Sequence, residues 1–294
     1  MTWEIGTVRI APIVEIEDAG KIIQEGIPSV TQEGIIKIDW LKPHFVDDSG
    51  SLKAVVQAFV VETPACCILV DTCIGNSKVR ESIPEWNDLQ TDFLSHLEKA
   101  GYQKEDIDIV ICTHLHFDHV GWNTMLVGGK WVPTFPHARY LFVEKEFNYW
   151  KDHPEREAGD DYAGVNDSVL PVFEAGLVTL VPYNHSMSEG ISLIPTPGHT
   201  PFHVSVLIKS GTEQAIITGD ALHHPCQIAH PEWGSVYDSD NDQARISRKA
   251  LLDRFADGRT LMIGSHFPAP TAGYLHREKD SFNYKHVWNF EFRV

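Results

Sequence analysis

Residues 113–122, which read THLHFDHVGW, concentrate side chains that bind metal ions. His114, His116, Asp118 and His119 fall within six positions. Imidazole nitrogens and carboxylate oxygens are the ligands that zinc takes in proteins. Because alternate residues of an extended chain face the same side, one loop can offer two ligands to one ion and two to another. A polar turn of solvated histidines is the alternative, and the density of ligand types favours the metal site.

An apolar run over residues 107–112 leads directly into this motif and predicts a buried strand. A buried strand cannot continue through several imidazoles and a carboxylate, because these groups would be poorly solvated. We therefore expect the strand to end before the motif, and the motif to form a loop at the edge of a sheet.

Three further potential ligands follow apolar runs later in the chain. Each of them comes after a predicted strand and directly after a small residue. These residues are His199, Asp220 and His266. Small residues let the backbone approach an ion closely and let the ligand side chain turn inward. A single Gly-Asp pair is more often a plain turn, and a single histidine at a strand end is usually on the surface, so only the combination is informative.

The hydrophobic pattern predicts alternating strands and helices along most of the chain. The predicted strands are 8–16, 55–61, 67–71, 107–112, 139–143, 177–181, 191–194, 203–208, 215–218 and 261–264. The predicted helices are 88–100, 144–150 and 243–256, and residues 151–167 are predicted to contain a loop. On the last helix we expect the inward positions to be Ile246, Ala250, Leu251 and Phe255.

One layered α/β domain over residues 1–294 is the simplest organisation, because no repeat, low-complexity tract or long linker divides the sequence. Residues 20–50 are rich in glycine and turn residues and predict irregular structure. Three interpretations of residues 1–50 stay open: a flap, a contact between the subunits of a homodimer, or an ordinary surface loop.

The composition is that of a folded globular protein with an acidic surface. Of 294 residues 43% are hydrophobic, and 24 basic residues against 41 acidic ones leave a net charge of -17. Such a surface repels phosphate backbones and anionic lipids, which argues against nucleic acids and membrane surfaces as partners. No apolar run is long enough to span a bilayer and no signal-peptide pattern is visible, so we expect a cytoplasmic protein.

The five cysteines indicate reduced thiols rather than a disulfide framework. Their number is odd, and none of them forms a C-x-x-C pair. We therefore expect free and partly buried side chains, of which Cys226 lies near the proposed ligand Asp220 in the sequence.

The order of the potential ligands resembles the metallo-β-lactamase fold superfamily, and in particular its dinuclear branch. The resemblance covers the chain from the predicted strands 55–61 and 67–71, which the Thr63-Pro64 turn joins as a hairpin, to His266. It implies an α/β fold of four layers, the αβ/βα sandwich, with the site at one edge between two sheets. It also implies that His114, His116 and His199 hold one metal ion, that Asp118, His119 and His266 hold a second, and that Asp220 bridges them.

The resemblance implies two divalent metal ions as cofactors. Neutral imidazoles and carboxylates suit zinc, with manganese, iron or cobalt as alternatives. Two such ions can share a hydroxide that stays ionised at neutral pH and attacks an electrophilic carbon or phosphorus. Asp118 is implied to pass a proton to the departing oxygen, as in lactonases of the family, and no serine or cysteine nucleophile is required.

The lead interpretation of the activity is a hydrolase that opens a lactone or a carboxylic ester, similar to the acyl-homoserine lactonases. Those enzymes generally carry a tyrosine three residues after the bridging aspartate, where this chain has His223. A histidine there, and the segment 265–268, look more like arylesterases and phosphotriesterases of the methyl-parathion-hydrolase type, which are the alternative. His223 is therefore either a contact to the substrate or a structural histidine.

Other activities of the fold agree less well with the sequence. Thioester hydrolysis would want a basic cluster for glutathione, a nuclease would want a basic groove, and a β-lactamase is usually exported. A small uncharged ester or lactone is the expected substrate if the nearby aromatic residues line an apolar pocket, and ordinary core packing is their other interpretation. These residues are Phe117, Trp122, Trp233 and Phe267.

Overall fold

The computed structural model describes residues 1–152, 159–187, 189–279 and 281–288. The chain divides into two compact units. Unit 1 comprises the described residues of Met1–Thr7, Glu17–Val55 and Asn184–Val294, and unit 2 comprises those of Val8–Ile16 and Val56–Tyr183. The single-domain boundaries, 1–294, stay a prediction.

The strands agree closely with those predicted from the hydrophobic pattern, to which the structure adds a short first strand (β1) and two hairpins (β6–β7 and β14–β15). They are β1 (Trp3–Ile5), β2 (Val8–Ile16), β3 (Val56–Glu62), β4 (Cys67–Val70), β5 (Ile109–Ile111), β6 (Thr124–Val127), β7 (Lys130–Pro133), β8 (Arg139–Val143), β9 (Val178–Val181), β10 (Ile191–Pro195), β11 (Val204–Ser210), β12 (Glu213–Ile217), β13 (Asp257–Ile263), β14 (Ala272–Glu278) and β15 (Ser281–Val287).

The helices are mostly short. They are α1 (Gly20–Gly26), α2 (Gln32–Ile36), α3 (Phe93–Lys99), α4 (Phe117–Val120), α5 (Glu144–Lys151), α6 (Asp160–Gly164), α7 (Leu170–Glu174), α8 (Cys226–Ala229) and α9 (Asn241–Phe255), with a π-helical turn at Val165–Val169 and 3-10 turns at Asp39–Leu41, Pro84–Trp86, Lys104–Asp106, Gly121–Asn123 and Gly219–Ala221. No helix in the described ranges is both long enough and apolar enough to cross a bilayer.

In unit 2 the strands lie in the order β2-β3-β4-β5-β8-β9. The pairs β2–β3 and β3–β4 are antiparallel, and the strands from β4 to β9 in this order run parallel. The register pairs Val70 of β4 with Ile111 of β5. Asp71 and the histidine motif therefore follow the two strands at the same edge of the sheet. Parallel strands of α/β proteins usually present functional residues at this edge.

In unit 1 the strands lie in the order β10-β11-β12-β13-β14-β15. Of the neighbouring strands in this order, only β12 and β13 are a parallel pair, and their register pairs Ile217 with Ile263. The strand β10 runs in the same direction as β12, because each is antiparallel to β11. The carboxyl ends of β10, β12 and β13 thus share one edge, from which His199, Asp220 and His266 follow.

Three predictions about local structure need correction. The helix predicted over 88–100 begins only at Phe93, because residues before it bond elsewhere: Thr91 N–H donates to Asn76 Oδ1. Residues 20–50, predicted to be irregular, form α1 and α2, and the Thr31 side chain caps α2. The chain is helical from Asp160 onward, and residues 153–158 lie outside the described ones, so the loop predicted within 151–167 stays a prediction.

The inward face of α9 was predicted wrongly. Ile246 is 59% exposed and Ala250 is exposed as well, whereas Leu251 and Phe255 are buried as expected. The helix is rotated because Arg248, which the pattern counted as a surface residue, is fully buried. A charged residue at this depth requires hydrogen-bond partners, and the helix therefore faces the loops that supply them.

The end of the histidine motif is fixed by direct contact with the loop after β4. Gly121 N–H donates to Cys73 O at 2.7 Å, and Trp122 N–H donates to Thr72 O at 2.8 Å. A Cβ atom on Gly121 would overlap the carbonyl group of Ile74, so only glycine permits this approach. The backbone at position 121 is therefore a support for the loop that carries four potential ligands.

A methyl group at position 121 will destabilise the protein. We expect Gly121→Ala to lower the free energy of unfolding by about 3 kcal/mol or more, since backbone atoms cannot move aside as a flexible side chain could. The matched control is Gly129→Ala, where the Cβ atom meets nothing within 4 Å and only the positive φ of +78° is unfavourable, at about 1–2 kcal/mol. Urea unfolding of both variants gives the comparison, and equal losses would contradict the steric interpretation.

Candidate metal centre

The four residues of the histidine motif lie close together in unit 2. The ring centroid of His114 is 4.6 Å from that of His116 and 4.1 Å from that of His119. His119 Nε2 is 3.8 Å from Asp118 Oδ2. His114 and His119 are buried, whereas His116 and Asp118 are partly exposed. The loop after β5 therefore presents four potential ligands in one place.

Asp71 sets the orientation of His119. Its Oδ2 lies 2.9 Å from His119 Nδ1, and its Oδ1 accepts a 2.7 Å hydrogen bond from Thr113 N–H. Because a carboxylate only accepts, His119 carries its proton on Nδ1 and keeps a lone pair on Nε2. A carboxylate behind a histidine is the usual support of a metal-binding imidazole.

In unit 1 the Asp220 carboxylate lies between imidazoles. Its Oδ2 is 3.4 Å from His199 Nε2 and 3.5 Å from His223 Nε2, and its Oδ1 is 3.3 Å from His266 Nε2. Two ligands of one tetrahedral zinc ion, each about 2.0–2.2 Å from the metal, lie about 3.3–3.6 Å apart. The two oxygens of Asp220 thus stand at ligand-to-ligand distances from different histidines.

The other ring nitrogens of these histidines have acceptors. His199 Nδ1 is 3.1 Å from Asp238 Oδ1, and His266 Nδ1 is 2.9 Å from the carbonyl oxygen of Val55. A carbonyl oxygen can only accept, so His266 must be protonated on Nδ1 and its Nε2 must carry the lone pair when the ring is neutral. With the proton on Nδ1, each imidazole presents the lone pair of Nε2 on the side where Asp220 lies.

His203 fixes the backbone of Asp220 and was not singled out in the sequence. Asp220 N–H donates to His203 Nε2 at 2.9 Å, and His203 Nδ1 is 2.8 Å from Thr196 Oγ1. The bond from Asp220 makes Nε2 an acceptor, so His203 serves the loop as a structural histidine. In the sequence, only its spacing of four positions from His199 could have pointed to a role for His203 near the site.

His223 is the predicted site residue with the most unusual surroundings. It is buried, and its ring lies 4.8 Å from that of His199 and 6.4 Å from that of His266. Among the described residues, neither of its ring nitrogens has a hydrogen-bond partner. Burial lowers the pKa of His223 to about 3, because the charged ring would lose its solvation. The ring is therefore neutral and keeps one N–H to donate.

The four aromatic residues near the motifs pack against other rings of their own units. Trp122 stacks on Phe93, and its Nε1–H donates to the buried carboxylate of Glu15. The remaining ring pairs are Phe117 with Trp86, Phe267 with Tyr284, and Trp233 with His230. Core packing, one of the two interpretations of these residues, accounts for their burial.

The five cysteines are free thiols, as predicted. Cys73, Cys112 and Cys226 are buried, and burial raises the pKa of the Cys226 thiol well above its ordinary value. A protonated thiol is a poor nucleophile and a poor metal ligand. Burial therefore disfavours a thiolate at Cys226.

The donor sets fit divalent cations such as zinc. Each unit carries a His/Asp cluster of buried or mostly buried side chains, and in both clusters imidazole Nδ1 atoms are held by acceptors. This arrangement exposes Nε2 atoms and carboxylate oxygens, the ligand types that zinc prefers. His114, His116, Asp118 and His119 lie in unit 2, and His199, Asp220 and His266 lie in unit 1.

The fold and these clusters define a class of protein. The sequence profile described as "Metallo-beta-lactamase superfamily" matches residues 53–266, and the chain belongs to this superfamily. The match includes all seven predicted ligands. The predicted fold class, an α/β fold of the metallo-β-lactamase type, is confirmed.

Two relatives with curated descriptions illustrate where the chain stands in the superfamily. An N-acyl homoserine lactonase of Bacillus sp is 27% identical over 183 residues, which are 57% of this chain and 64% of that protein. Metallo-beta-lactamase domain-containing protein 1 of Xenopus laevis is 33% identical over 177 residues, 60% of each chain. The matched part thus spans less than two thirds of the length of either relative.

Solved structures match almost the whole chain. AidC, described as a dizinc quorum-quenching lactonase in complex with a product, has a TM-score of 0.76 at 24% identity and covers 98% of this chain and 97% of its own. The hydrolase AbOPH of the β-lactamase superfamily has a TM-score of 0.78 at 22% identity, and the match covers 100% of this chain and 98% of that one. At these identities the similarity establishes the fold.

The low pKa of His223 has a measurable consequence in the metal-free protein. We expect its ring signals in NMR spectra to keep their neutral-form positions from about pH 8 down to about pH 5. Between about pH 3 and 6.5 the unfolded state binds a proton that the native state does not, so acidification in this window lowers the free energy of unfolding. Signals lost in His223→Gln identify the residue, and a titration midpoint near 6.5 would contradict its burial.

Proposed function

We propose that this chain is a dinuclear, zinc-dependent hydrolase that opens a lactone or a carboxylic ester. The observation that carries the proposal is the position of Asp220, whose two oxygens lie 3.4 Å and 3.3 Å from Nε2 of His199 and His266. Both imidazoles have their Nδ1 atoms held by acceptors, so both lone pairs are available to a cation.

The assignment of ligands follows the order of the motifs in the superfamily. We assign His114, His116 and His199 to one ion, Asp118, His119 and His266 to the other, and Asp220 to both. The division is supported by the different histidines that each Asp220 oxygen faces. Zinc is the proposed metal, and manganese, iron or cobalt remain alternatives with similar ligands.

Two divalent ions held by these residues would supply a hydroxide nucleophile at neutral pH and would polarise the oxygen that gains negative charge. The chain's own residues then orient the reaction. Asp118 is partly exposed and can transfer a proton to the departing oxygen of the substrate. The neutral His223 ring can donate its N–H to the carbonyl oxygen of the substrate, because neither ring nitrogen makes a hydrogen bond within the described chain, where the nearby acceptor Asp220 Oδ2 is 3.5 Å from Nε2.

The substrate class is supported by the lactonase relatives and by their products in solved structures, since AidC holds a product, N-hexanoyl-L-homoserine. The proposed substrate is accordingly a small uncharged lactone or ester. A phosphotriesterase or arylesterase is the second candidate, because a histidine stands at position 223 instead of a tyrosine. The acidic net charge supports a protein without nucleic-acid or membrane partners. We also propose a cytoplasmic location and a homodimer.

The metal stoichiometry tests the proposal directly. We expect zinc-loaded protein to contain about two ions per chain by elemental analysis, because the seven proposed ligands exceed what a single zinc ion takes. The same preparation is assayed on acyl-homoserine lactones, aryl esters, a phosphotriester, a thioester and a cephalosporin. Phosphotriester turnover without lactone turnover would select the second candidate, and full activity with one ion per chain would refute the two-metal mechanism.

Removing the charge of Asp220 should impair metal binding and hydrolysis together. Asp220→Asn keeps the shape but leaves one carbonyl oxygen and one amide, and an amide nitrogen is not a zinc ligand. We expect lower zinc content and kcat/KM reduced by a factor of about 100 or more. Normal turnover in this variant would refute the bridging role of Asp220.

His223 should affect turnover without affecting metal content. We expect His223→Ala to lower kcat/KM by a factor of about 10–100, the loss of one hydrogen bond to a developing charge, while zinc per chain stays unchanged. His230→Ala is the control, because this partly exposed histidine pairs with Glu232. Identical kinetics for His223→Ala and the parent protein would make His223 a structural residue.

A further inference from the structure

We propose that Asp238 and Arg248 are positioning residues that hold the candidate ligands His199 and Asp220 in place, a role that rests on the proposed metal centre. Both residues belong to unit 1, and neither is a proposed ligand or substrate contact. Asp238 acts on the imidazole of His199, and Arg248 connects Asp238 with the backbone beside Asp220.

The two carboxylate oxygens of Asp238 contact different groups. Oδ1 is 3.1 Å from His199 Nδ1. Oδ2 accepts hydrogen bonds from Ser235 N–H at 3.1 Å and from Arg248 Nη2 at 3.5 Å. The side chain is completely buried, so water does not compete for these bonds. The carboxylate therefore holds the Nδ1 proton of His199 and directs the Nε2 lone pair towards Asp220.

Arg248 donates hydrogen bonds to backbone carbonyl groups close to both candidate ligands. Its Nε–H donates to Ala221 O at 2.9 Å, on the residue after Asp220. Its Nη1 donates to Pro231 O and to Trp233 O, each at 3.0 Å. A guanidinium presents its donors in one rigid plane, so the acceptors are held at fixed separations. One side chain thus couples the position of Asp238 to that of Asp220.

The helix that carries Arg248 is itself attached to the loop before His199. Ser247 Oγ donates to Pro197 O at 2.6 Å, and Asp240 N–H donates to Gly198 O at 2.9 Å. A Cβ atom on Gly198 would overlap the backbone of Ala244, and Gly198 has a φ of +131°. The start of α9 and the loop of His199 therefore form one rigid support, on which Arg248 acts at short range.

The isosteric change Asp238→Asn should reverse the tautomer of His199. Ser235 N–H and Arg248 can only donate, so they require the carbonyl oxygen of the new amide on their side. The amide NH2 then faces His199 Nδ1, which must become an acceptor. The ring proton moves to Nε2, and the lone pair that a cation needs is lost. This reversal cannot arise from a general loosening of the fold.

The tautomer can be measured in metal-free protein labelled with 15N in its histidines. Long-range proton–nitrogen NMR spectra, recorded well above the ordinary imidazole pKa, distinguish a proton on Nδ1 from one on Nε2. We expect Nδ1–H in the parent protein, because His199 Nδ1 is 3.1 Å from Asp238 whereas Nε2 is 3.4 Å from Asp220, and Nε2–H in Asp238→Asn. Zinc affinity of the variant, measured by competition with a chelator, should fall by a factor of about 10–100.

The matched control is Asp240→Asn, the same change two positions along the loop. Asp240 caps α9 by accepting from Gln243 N–H, and asparagine caps equally well. We expect the parent tautomer and zinc affinity in this control. An unchanged His199 tautomer in Asp238→Asn would overturn the positioning role, whatever the zinc content of the parent protein. Absence of zinc binding in the parent would instead overturn the proposed function.

Arg248→Lys tests the second positioning residue. Lysine keeps the charge but cannot span Ala221 O and Asp238 with a planar fork, so we expect zinc affinity to fall by a factor of about 10 while the His199 tautomer stays on Nδ1. Arg245→Lys on the exposed face of α9 is the control, and it should match the parent protein. Parent-like zinc affinity in Arg248→Lys would overturn the role of Arg248.

Discussion

A buried imidazole binds a cation only if its lone pair points to the right place, and this requirement constrains much of the structure. The ring must be neutral, and the proton must sit on the nitrogen that faces away from the metal. His119, His199 and His266 meet the requirement in the same way, with an acceptor fixed behind Nδ1. Each acceptor must in turn be held, so the support extends outward through buried hydrogen bonds rather than ending at the ligands.

The sheet edges explain why so few elements are needed to build each cluster. In unit 2 the strand that ends at Val70 lies beside the one that ends at Ile111, and the acceptor Asp71 leaves the sheet next to the histidines that it supports. In unit 1 three strands end on the same side, and each is followed by one candidate ligand. Parallel strands thus convert separations of many residues in sequence into short distances in space.

The sequence predicts the strands and the candidate ligands well, because both depend on local patterns. Hydrophobic runs marked the strand ends, and the spacing of His114 to His119 marked the first cluster. The residues that hold the ligands left no such pattern. Asp238 is 39 positions from the histidine that it contacts, and Arg248 looked like an exposed residue of an amphipathic helix. The misassigned face of α9 has the same origin, since hydrophobic periodicity cannot identify a buried guanidinium.

The acceptors behind the three imidazoles differ in one respect that matters for evolution. Those behind His119 and His199 are side chains and can be replaced by a single codon change, whereas that behind His266 is the main-chain carbonyl of Val55. A carbonyl oxygen is present whichever amino acid occupies the position. Genetic drift can therefore erode the first two supports directly, but it can reach the third only by moving the backbone. The side chain at position 55 therefore takes no part in this support, which depends only on the path of the backbone.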